Sequence, residues 1–121
     1  MTEQPQAWQI EFYTDARGKS PVLDFISSLP SKERAKIAYS LRLLQEFGTA
    51  LGMPHARPLK GHKPLWELRP FPNRLIYFAH RGCRVIVLHA FRKTDLGAQR
   101  REIAVAERRI GEVLQDENAK E

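Results

Sequence analysis

The sequence predicts an α+β protein with an N-terminal strand, two helices, a three-stranded antiparallel meander and a C-terminal helix. Residues 20–47 and 96–118 carry apolar side chains at helical spacing, whereas residues 65–91 form short apolar and aromatic runs separated by turn residues. A length of 121 residues with 42% hydrophobic content allows one domain, spanning residues 1–121, with a modest core.

The first half of the chain is predicted to form one strand and two helices. Residues 8–13 are rich in aromatic and β-branched types, which favours a strand. Ser20 followed by Pro21 is typical of a helix N-cap and first helical position, and this short helix should end near residue 28. A longer helix is expected over residues 31–47. Its apolar face consists of Ile37, Leu41 and Leu44.

A long basic loop is predicted between the second helix and the meander. Gly48 and Gly52 stop the helix, and residues 53–64 contain prolines together with Lys60 and Lys63. Loops of this kind often carry function, although tolerated surface loops have a similar composition.

The meander is predicted from strands at residues 65–69, 74–79 and 84–91. Two prolines cannot sit inside a paired ladder, so residues 70–73 form the first connection. A tight turn at Arg81-Gly82 forms the second, and this register pairs Arg74 with His89. The same face is then expected to carry Leu65, Glu67, Arg69, Ile76, Phe78, Val85, Val87 and Phe91.

This register predicts a row of basic side chains across three strands, made of Arg69, Arg74 and His89. Cross-strand Cβ atoms on one face lie about 5 Å apart, so two opposed arginines repel each other unless an anion joins them. Guanidinium groups bind phosphate oxygens in bidentate fashion, and a histidine transfers protons near neutral pH. The alternative is that each arginine points into solvent or pairs with Glu67, which could itself act as a general base.

Positive charge is concentrated in the same region. Residues 55–101 hold eleven Lys or Arg and two acids, whereas the rest of the chain holds nine basic and twelve acidic residues. A basic sheet on a mildly acidic body indicates a surface that holds a polyanion, with RNA or DNA as the leading candidates. The alternative is that these basic residues protect sheet edges against aggregation.

The last helix, residues 96–118, is predicted to pack on the sheet through an apolar stripe. Partial displacement to dock a partner is the alternative. The stripe consists of Ile103, Ala106, Ile110, Val113 and Leu114.

Several classes of protein are excluded. The single cysteine, Cys83, excludes an intramolecular disulfide and a multi-cysteine zinc site, and the four histidines lack metal-ligand spacing. We therefore expect no metal and no cofactor. No run of about 18 apolar residues could span a membrane. Residues 1–7 lack the apolar core of a signal peptide, so a cytoplasmic protein is expected.

Four segments resemble the RelE/HigB superfamily of toxin–antitoxin modules, and more narrowly its phage-derived HigB-like branch. They are LKG at 59–61, LWELR at 65–69, RLIYF at 74–78 and LHAFRKT at 88–94, and the run REIAVAER at 101–108 also fits. The resemblance spans about residues 8–109. It implies a RelE-like fold and a toxin that cuts mRNA in the ribosomal decoding site, without metal, by attack of the ribose 2′-hydroxyl on the adjacent phosphate.

The resemblance also implies roles for individual residues. By position, Arg74 matches the arginine expected to stabilise the phosphate, and Arg69 matches the arginine that closes the preceding strand. Lys93 belongs to the basic pair expected to contact the phosphate or protonate the leaving oxygen. The acid–base residue differs between branches of the family, so His89 remains a candidate from the strand register alone.

A second group of residues is expected to bind RNA. Arg92 is the other member of the basic pair, and Lys60 and Lys63 lie where family members carry basic residues that hold RNA. Phe91 occupies a position where an aromatic ring could stack on a base, although a core role is equally open.

Three functions from different classes remain open. The first is a ribosome-dependent mRNA endonuclease neutralised by an antitoxin, usually a helix-turn-helix protein similar to HigA. The second is a ParE-like inhibitor of DNA gyrase on the same fold, since fold alone does not decide function. The third is an RNA-binding protein that has kept the fold and lost the chemistry.

Overall fold

The computed structural model describes residues 7–119. The predicted polar N-terminus, apart from Ala7, lies outside this range. The elements are β1 (Gln9–Phe12), α1 (Pro21–Ser27), α2 (Ser31–Phe47), β2 (Ala56–Pro58), β3 (Trp66–Leu68), β4 (Asn73–His80), β5 (Arg84–Arg92) and α3 (Leu96–Ala119). The α+β prediction is confirmed. Within the described range, no helix is both long and apolar enough to cross a membrane.

A side-chain cap starts α1, and a glycine ends α2. The hydroxyl of Ser20 accepts a hydrogen bond from the Leu23 amide at 3.2 Å, so the predicted N-cap is confirmed. Gly48 ends α2 with a positive φ of 52°. A Cβ at this position would lie 2.0 Å from the indole of Trp8, so the helix can stop here against the aromatic ring only with glycine.

The strands form one mixed sheet in the order β1-β5-β4-β3-β2. β1 runs parallel to β5, and the other pairs are antiparallel. The two ends of the sheet are therefore β1 and β2. The predicted meander of β3, β4 and β5 is confirmed as the centre of a five-stranded sheet.

A separate core lies on each face of this sheet. Val22 of α1 and Ile37 and Leu44 of α2 pack against one face. Ile103 and Ala106 of α3 pack against the other, which confirms that the last helix docks on the sheet. Leu114 was predicted in the same apolar stripe, but it is 38% exposed, and the neighbouring Val113 is the residue that packs against this core.

Strand β2 was not predicted, because its three residues lie within the expected loop. It pairs antiparallel with β3, and Arg57 lies directly opposite Glu67. Pro58 is tolerated because β2 is an edge strand. Arg57, which was predicted to lie in a loop, is therefore part of the β2–β3 pairing.

The predicted register between β4 and β5 is wrong at the end where Arg74 lies. His80 pairs with Arg84, so the turn has three residues instead of two, and Gly82 and Cys83 adopt positive φ values of 73° and 59°. A register shift follows: Tyr77 pairs with Val87, but Ile76 pairs with His89, which leaves Leu88 as the extra residue of a bulge.

Each irregularity moves the pairing by one residue, so Arg74 lies opposite Phe91 and not opposite His89. Side chains alternate between faces, so the three-residue turn places Val85 and Val87 on the face that α1 and α2 cover. The predicted face was therefore wrong for these two valines. The bulge then returns His89 to the face of Ile76.

Candidate functional site

One buried carboxylate lies at the centre of a cluster of arginines. Glu67 has no exposed surface, and its Oε1 lies 3.1 Å from the Nε of Arg57. The Nε atoms of Arg69 and Arg74 each lie 3.7 Å from the same oxygen. The other carboxylate oxygen accepts a hydrogen bond from the Gln99 side chain at 3.2 Å. Three guanidinium groups face a single carboxylate, so two positive charges remain uncompensated.

Neighbouring elements bring these side chains together. Arg57 comes from β2, directly across from Glu67 on β3. Arg69 follows β3 and Arg74 lies near the start of β4, so the connection at 70–73 sets them side by side. Gln99 belongs to the first turn of α3, which Asp95 caps by accepting from the Ala98 amide at 2.8 Å.

The arginine cluster lies in a cleft of about 370 Å³ between the sheet and the start of α3. The cleft is lined by the three arginines and by Phe91, Lys93, Thr94, Asp95, Leu96 and Gln99. The exposed fraction of the side chain rises from 6% at Arg74 to 22% at Arg69 and 43% at Arg57. Arg74 is therefore the deepest cation and Arg57 the one nearest solvent.

The environment of Arg74 favours an additional anion. Burial lowers the pKa of Arg74 below its usual range, Glu67 opposes this shift, and Arg69 and Arg57 add to it. An arginine nonetheless keeps its charge at any physiological pH. The side chain donates to the Asn73 carbonyl at 2.9 Å. The Nε of Arg69 is buried without a hydrogen bond among the described residues. A bound phosphate would relieve this crowding of like charges.

The structure brings together four of the eight predicted site residues. Arg69 and Arg74 meet over Glu67 as the sequence predicted, and Lys93 and Phe91 line the same cleft. Phe91 is only 6% exposed, and its ring lies 5.6 Å from that of His89, so the ring belongs mainly to the core.

The other four lie outside the cleft lining. Lys60 and Lys63 are exposed in the connection between β2 and β3. Arg92 turns towards α2, where it pairs with Glu33 at 3.2 Å. The predicted row ending in His89 is therefore wrong, because the three-residue turn and the bulge together place this residue two positions away from the partner of Arg74.

His89 is held by the last helix. Its Nε2–H donates to Glu102, and its Nδ1 accepts from Arg109 at 3.1 Å. The same guanidinium donates to the Leu88 carbonyl at 2.9 Å. Burial lowers the pKa of His89, Glu102 opposes that shift, and Arg109 and Arg108 add to it. The imidazole is therefore neutral at pH 7, with both nitrogens engaged in docking α3 on the sheet.

We expect His89 to make the protein less stable in mild acid. Its pKa is lowered in the folded state, so the unfolded chain binds the proton more readily. The resulting stability is present above the ordinary histidine pKa of about 6.5 and is lost as the pH falls towards the folded value. Urea unfolding at about pH 7.5 and about pH 5 should show a larger loss of stability for wild type than for His89→Gln. Equal losses in the two proteins would contradict this role.

Three members of the cluster were missed or undervalued by sequence reasoning. Arg57 was assigned to a loop, Gln99 is an ordinary helix residue, and Glu67 was expected to pair with Arg69 or Arg74 but not with Arg57. One signal was available: Glu67 is one of two acids in the basic segment 55–101. An acid within a strongly basic segment indicates the centre of an ion cluster. Among the described residues, no three His, Cys, Asp or Glu side chains come together as metal ligands.

Comparisons with known proteins identify relatives of this chain and of its fold. The family described as "Phage derived protein Gp49-like (DUF891)" matches residues 24–111. The structure is similar to archaeal RelE in the RelE–RelB complex from Pyrococcus horikoshii OT3, with 14% identity, a TM-score of 0.56, and 71% of this chain and 94% of that chain covered.

A second similar structure is a double arginine-to-alanine mutant of the E. coli toxin RelE in the free state. It has 20% identity and a TM-score of 0.55, with 81% of this chain and 95% of that chain covered. No curated protein sequence matches significantly. At these identities the likeness shows a common fold, so the predicted RelE-like fold is confirmed.

Proposed function

The chain belongs to the phage-derived Gp49-like family and has a RelE-like fold, and on this basis we propose that it is the toxin of a toxin–antitoxin module that cleaves mRNA. The observation that carries the proposal is the arginine cluster around Glu67, which opens into a cleft with Lys93. A cleft with this excess of positive charge fits a phosphodiester. The HigB-like branch remains a prediction.

The cleft suits metal-free cleavage of RNA. The ribose 2′-hydroxyl gives its proton to solvent water as its oxygen attacks the adjacent phosphorus, the bond to the 5′-oxygen breaks, and the products are a 2′,3′-cyclic phosphate and a 5′-hydroxyl. The pentavalent transition state carries more negative charge than the substrate, and Arg57, Arg69 and Arg74 face the space where that charge develops. We assign to Lys93, exposed at the cleft, proton donation to the leaving 5′-oxygen.

The remaining predicted residues take supporting roles in this proposal. His89 has no free nitrogen, so we assign it to positioning the sheet against α3 instead of proton transfer. Exposed Lys60, Lys63 and Arg92 hold flanking RNA by charge, and Phe91 supports the cleft from the core.

The proposal includes partners and a location. The substrate is mRNA on the ribosome, in the cytoplasm. An antitoxin, of the helix-turn-helix type similar to HigA, neutralises the toxin. One solved neighbour is itself a RelE–RelB complex.

Primer extension on mRNA-programmed ribosomes, with naked RNA alongside, tests the proposal. We expect wild type to cut at decoding-site codons and Lys93→Ala to cut about 10²-fold more slowly, because a positioned proton donor is lost. Lys93 is exposed, so the fold should be unchanged. The matched control is Arg34→Ala, which removes one positive charge from the exposed surface of α2 and should cleave like wild type.

Absence of cleavage by folded wild type on both substrates would overturn the proposal. A supercoiling assay would then separate a gyrase inhibitor from an RNA-binding protein without chemistry. Equal loss of activity in Lys93→Ala and Arg34→Ala would indicate general charge attraction in place of chemistry in the cleft.

A further inference from the structure

A second groove lies between α2 and the connection at 70–73. It has a volume of about 360 Å³ and is lined by Ala35, Lys36, Tyr39, Ser40, Pro70 and Phe71. Phe71 is 61% exposed and Tyr39 is 56% exposed. Two large aromatic rings open to solvent on one groove are unusual for a surface with no partner, and such apolar surfaces mark binding sites.

The groove and the arginine cleft are joined by one short connection. Arg69 and Arg74 flank residues 70–73 on the cleft side, whereas Phe71 lines the groove. The connection is tied to both sides: the Lys93 amide donates to the Pro72 carbonyl at 2.8 Å, and the Lys36 ammonium donates to the Phe71 carbonyl at 3.5 Å. A polymer that is bound in the cleft and continues over residues 70–73 therefore reaches the groove.

The charge of the groove fits an anionic polymer. Its lining residues include Lys36 and no acid. Lys32, one helical turn earlier on α2, is also exposed. The nearest acid along the helix, Glu33, is already engaged by Asn73 at 2.9 Å and Arg92 at 3.2 Å. Exposed aromatic rings with cations and without a free acid are the pattern that binds single-stranded nucleic acid, since bases stack on the rings and phosphates meet the cations.

We propose that this groove holds a base of single-stranded RNA, on the same strand whose scissile phosphate lies in the arginine cleft. Phe71 and Tyr39 contact the base and Lys36 contacts the adjoining phosphate. The inference rests on the proposed function and adds a second binding position to it. Substrate affinity then comes partly from a base outside the reacting pair of nucleotides.

Fluorescence anisotropy with two uncleavable RNAs tests this inference. A 2′-O-methylated heptanucleotide can reach both the cleft and the groove, whereas a 2′-O-methylated dinucleotide fills the cleft alone. Phe71→Ala and Tyr39→Ala should each weaken the heptanucleotide about tenfold, the usual effect of losing one stacking ring, and leave the dinucleotide unchanged. Phe71→Tyr should bind like wild type, because it keeps a ring.

Two further variants separate the groove from the cleft. Phe47→Ala removes another exposed ring of α2 that does not line the groove, and it should bind both RNAs like wild type. Arg69→Ala removes a cleft cation and should weaken both RNAs.

A heptanucleotide bound equally by wild type and by the Phe71→Ala and Tyr39→Ala variants, but weakened by Arg69→Ala, would overturn the groove inference and leave the proposed function standing. The aromatic surface would then belong to a protein partner. Failure of wild type to bind either RNA would overturn the groove inference, and cleavage on programmed ribosomes would then decide the proposed function separately.

Discussion

Arg74→Ala is expected to abolish RNA cleavage, with a rate at least about 10²- to 10³-fold below that of wild type. Arg74 is the deepest cation of the cleft, and its side chain is held by the Asn73 carbonyl at 2.9 Å and by Glu67 at 3.7 Å. A fixed, desolvated guanidinium stabilises developing charge without the reorganisation that water would need. The measurement is the single-turnover rate on programmed ribosomes.

The fold should survive this substitution, because Arg57 and Arg69 still face Glu67 and the buried carboxylate is not left unpaired. Arg74→Lys keeps a charge but loses the planar fork, so it should recover only part of the rate. Thermal unfolding of each variant separates lost chemistry from lost structure. A folded Arg74→Ala protein that cleaves at the wild-type rate would remove this arginine from the mechanism.

Glu67→Gln is expected to have the largest effect on stability, lowering the free energy of unfolding by about 3 kcal/mol or more. The amide keeps the shape of the side chain, but three guanidinium groups then face one another without a counter-charge. By contrast, removal of one arginine leaves the other two in contact with the oppositely charged carboxylate of Glu67. The measurement is urea unfolding at neutral pH. Glu46→Gln, which neutralises an exposed acid on α2, is the matched control and should be nearly silent.

Added phosphate should partly restore the stability of Glu67→Gln. An anion that binds the folded cluster stabilises it by mass action, and a cluster without its own carboxylate gains more from the anion than wild type does. Unfolding in phosphate and in chloride at equal ionic strength measures this difference. A Glu67→Gln protein as stable as wild type in chloride would show that the three arginines are solvated separately and form no cluster.

Apart from β2, the helices and strands were predictable because local sequence features indicate where each begins or ends. Ser20-Pro21 marks the start of a helix, Gly48 marks the end of another, and paired prolines at 70 and 72 fix a connection. Each predicted helix and strand has both ends within one residue of the structure. Local chemistry of caps and turns decides these boundaries, so they can be read without knowing the fold.

The site was only partly predictable, because it depends on pairing between strands. A three-residue turn and a bulge at Leu88 each shift the β4–β5 ladder by one residue. Gly82 indicates the turn but not its length, and no glycine or proline indicates the bulge. Together the two shifts leave the His89 side chain on the predicted face of the sheet, but they move its cross-strand partner by two residues. The prediction was therefore correct for the face on which His89 lies and wrong for its cross-strand neighbour, which is Ile76 instead of Arg74.

Arg57 illustrates a second cause of failure. Its strand has three residues and contains Pro58, so no alternating pattern exists from which to predict it. The strand forms because β3 offers an open edge, a tertiary cause that single-sequence periodicity does not contain. By contrast, Arg69 and Arg74 were paired correctly because the connection between them is short and its prolines exclude other registers.

The order of synthesis gives the cleft a further property. Its side chains come from β2, from the connection between β3 and β4, from β4 and β5, from the segment after β5 and from the start of α3, so the most C-terminal contributor is Gln99. A nascent chain shorter than this already holds Glu67 and the three arginines, but it lacks the start of α3, which forms one wall of the cleft. For a toxin that acts on ribosomes as we propose, the ribosome translating its own message is therefore spared until most of the chain has been made.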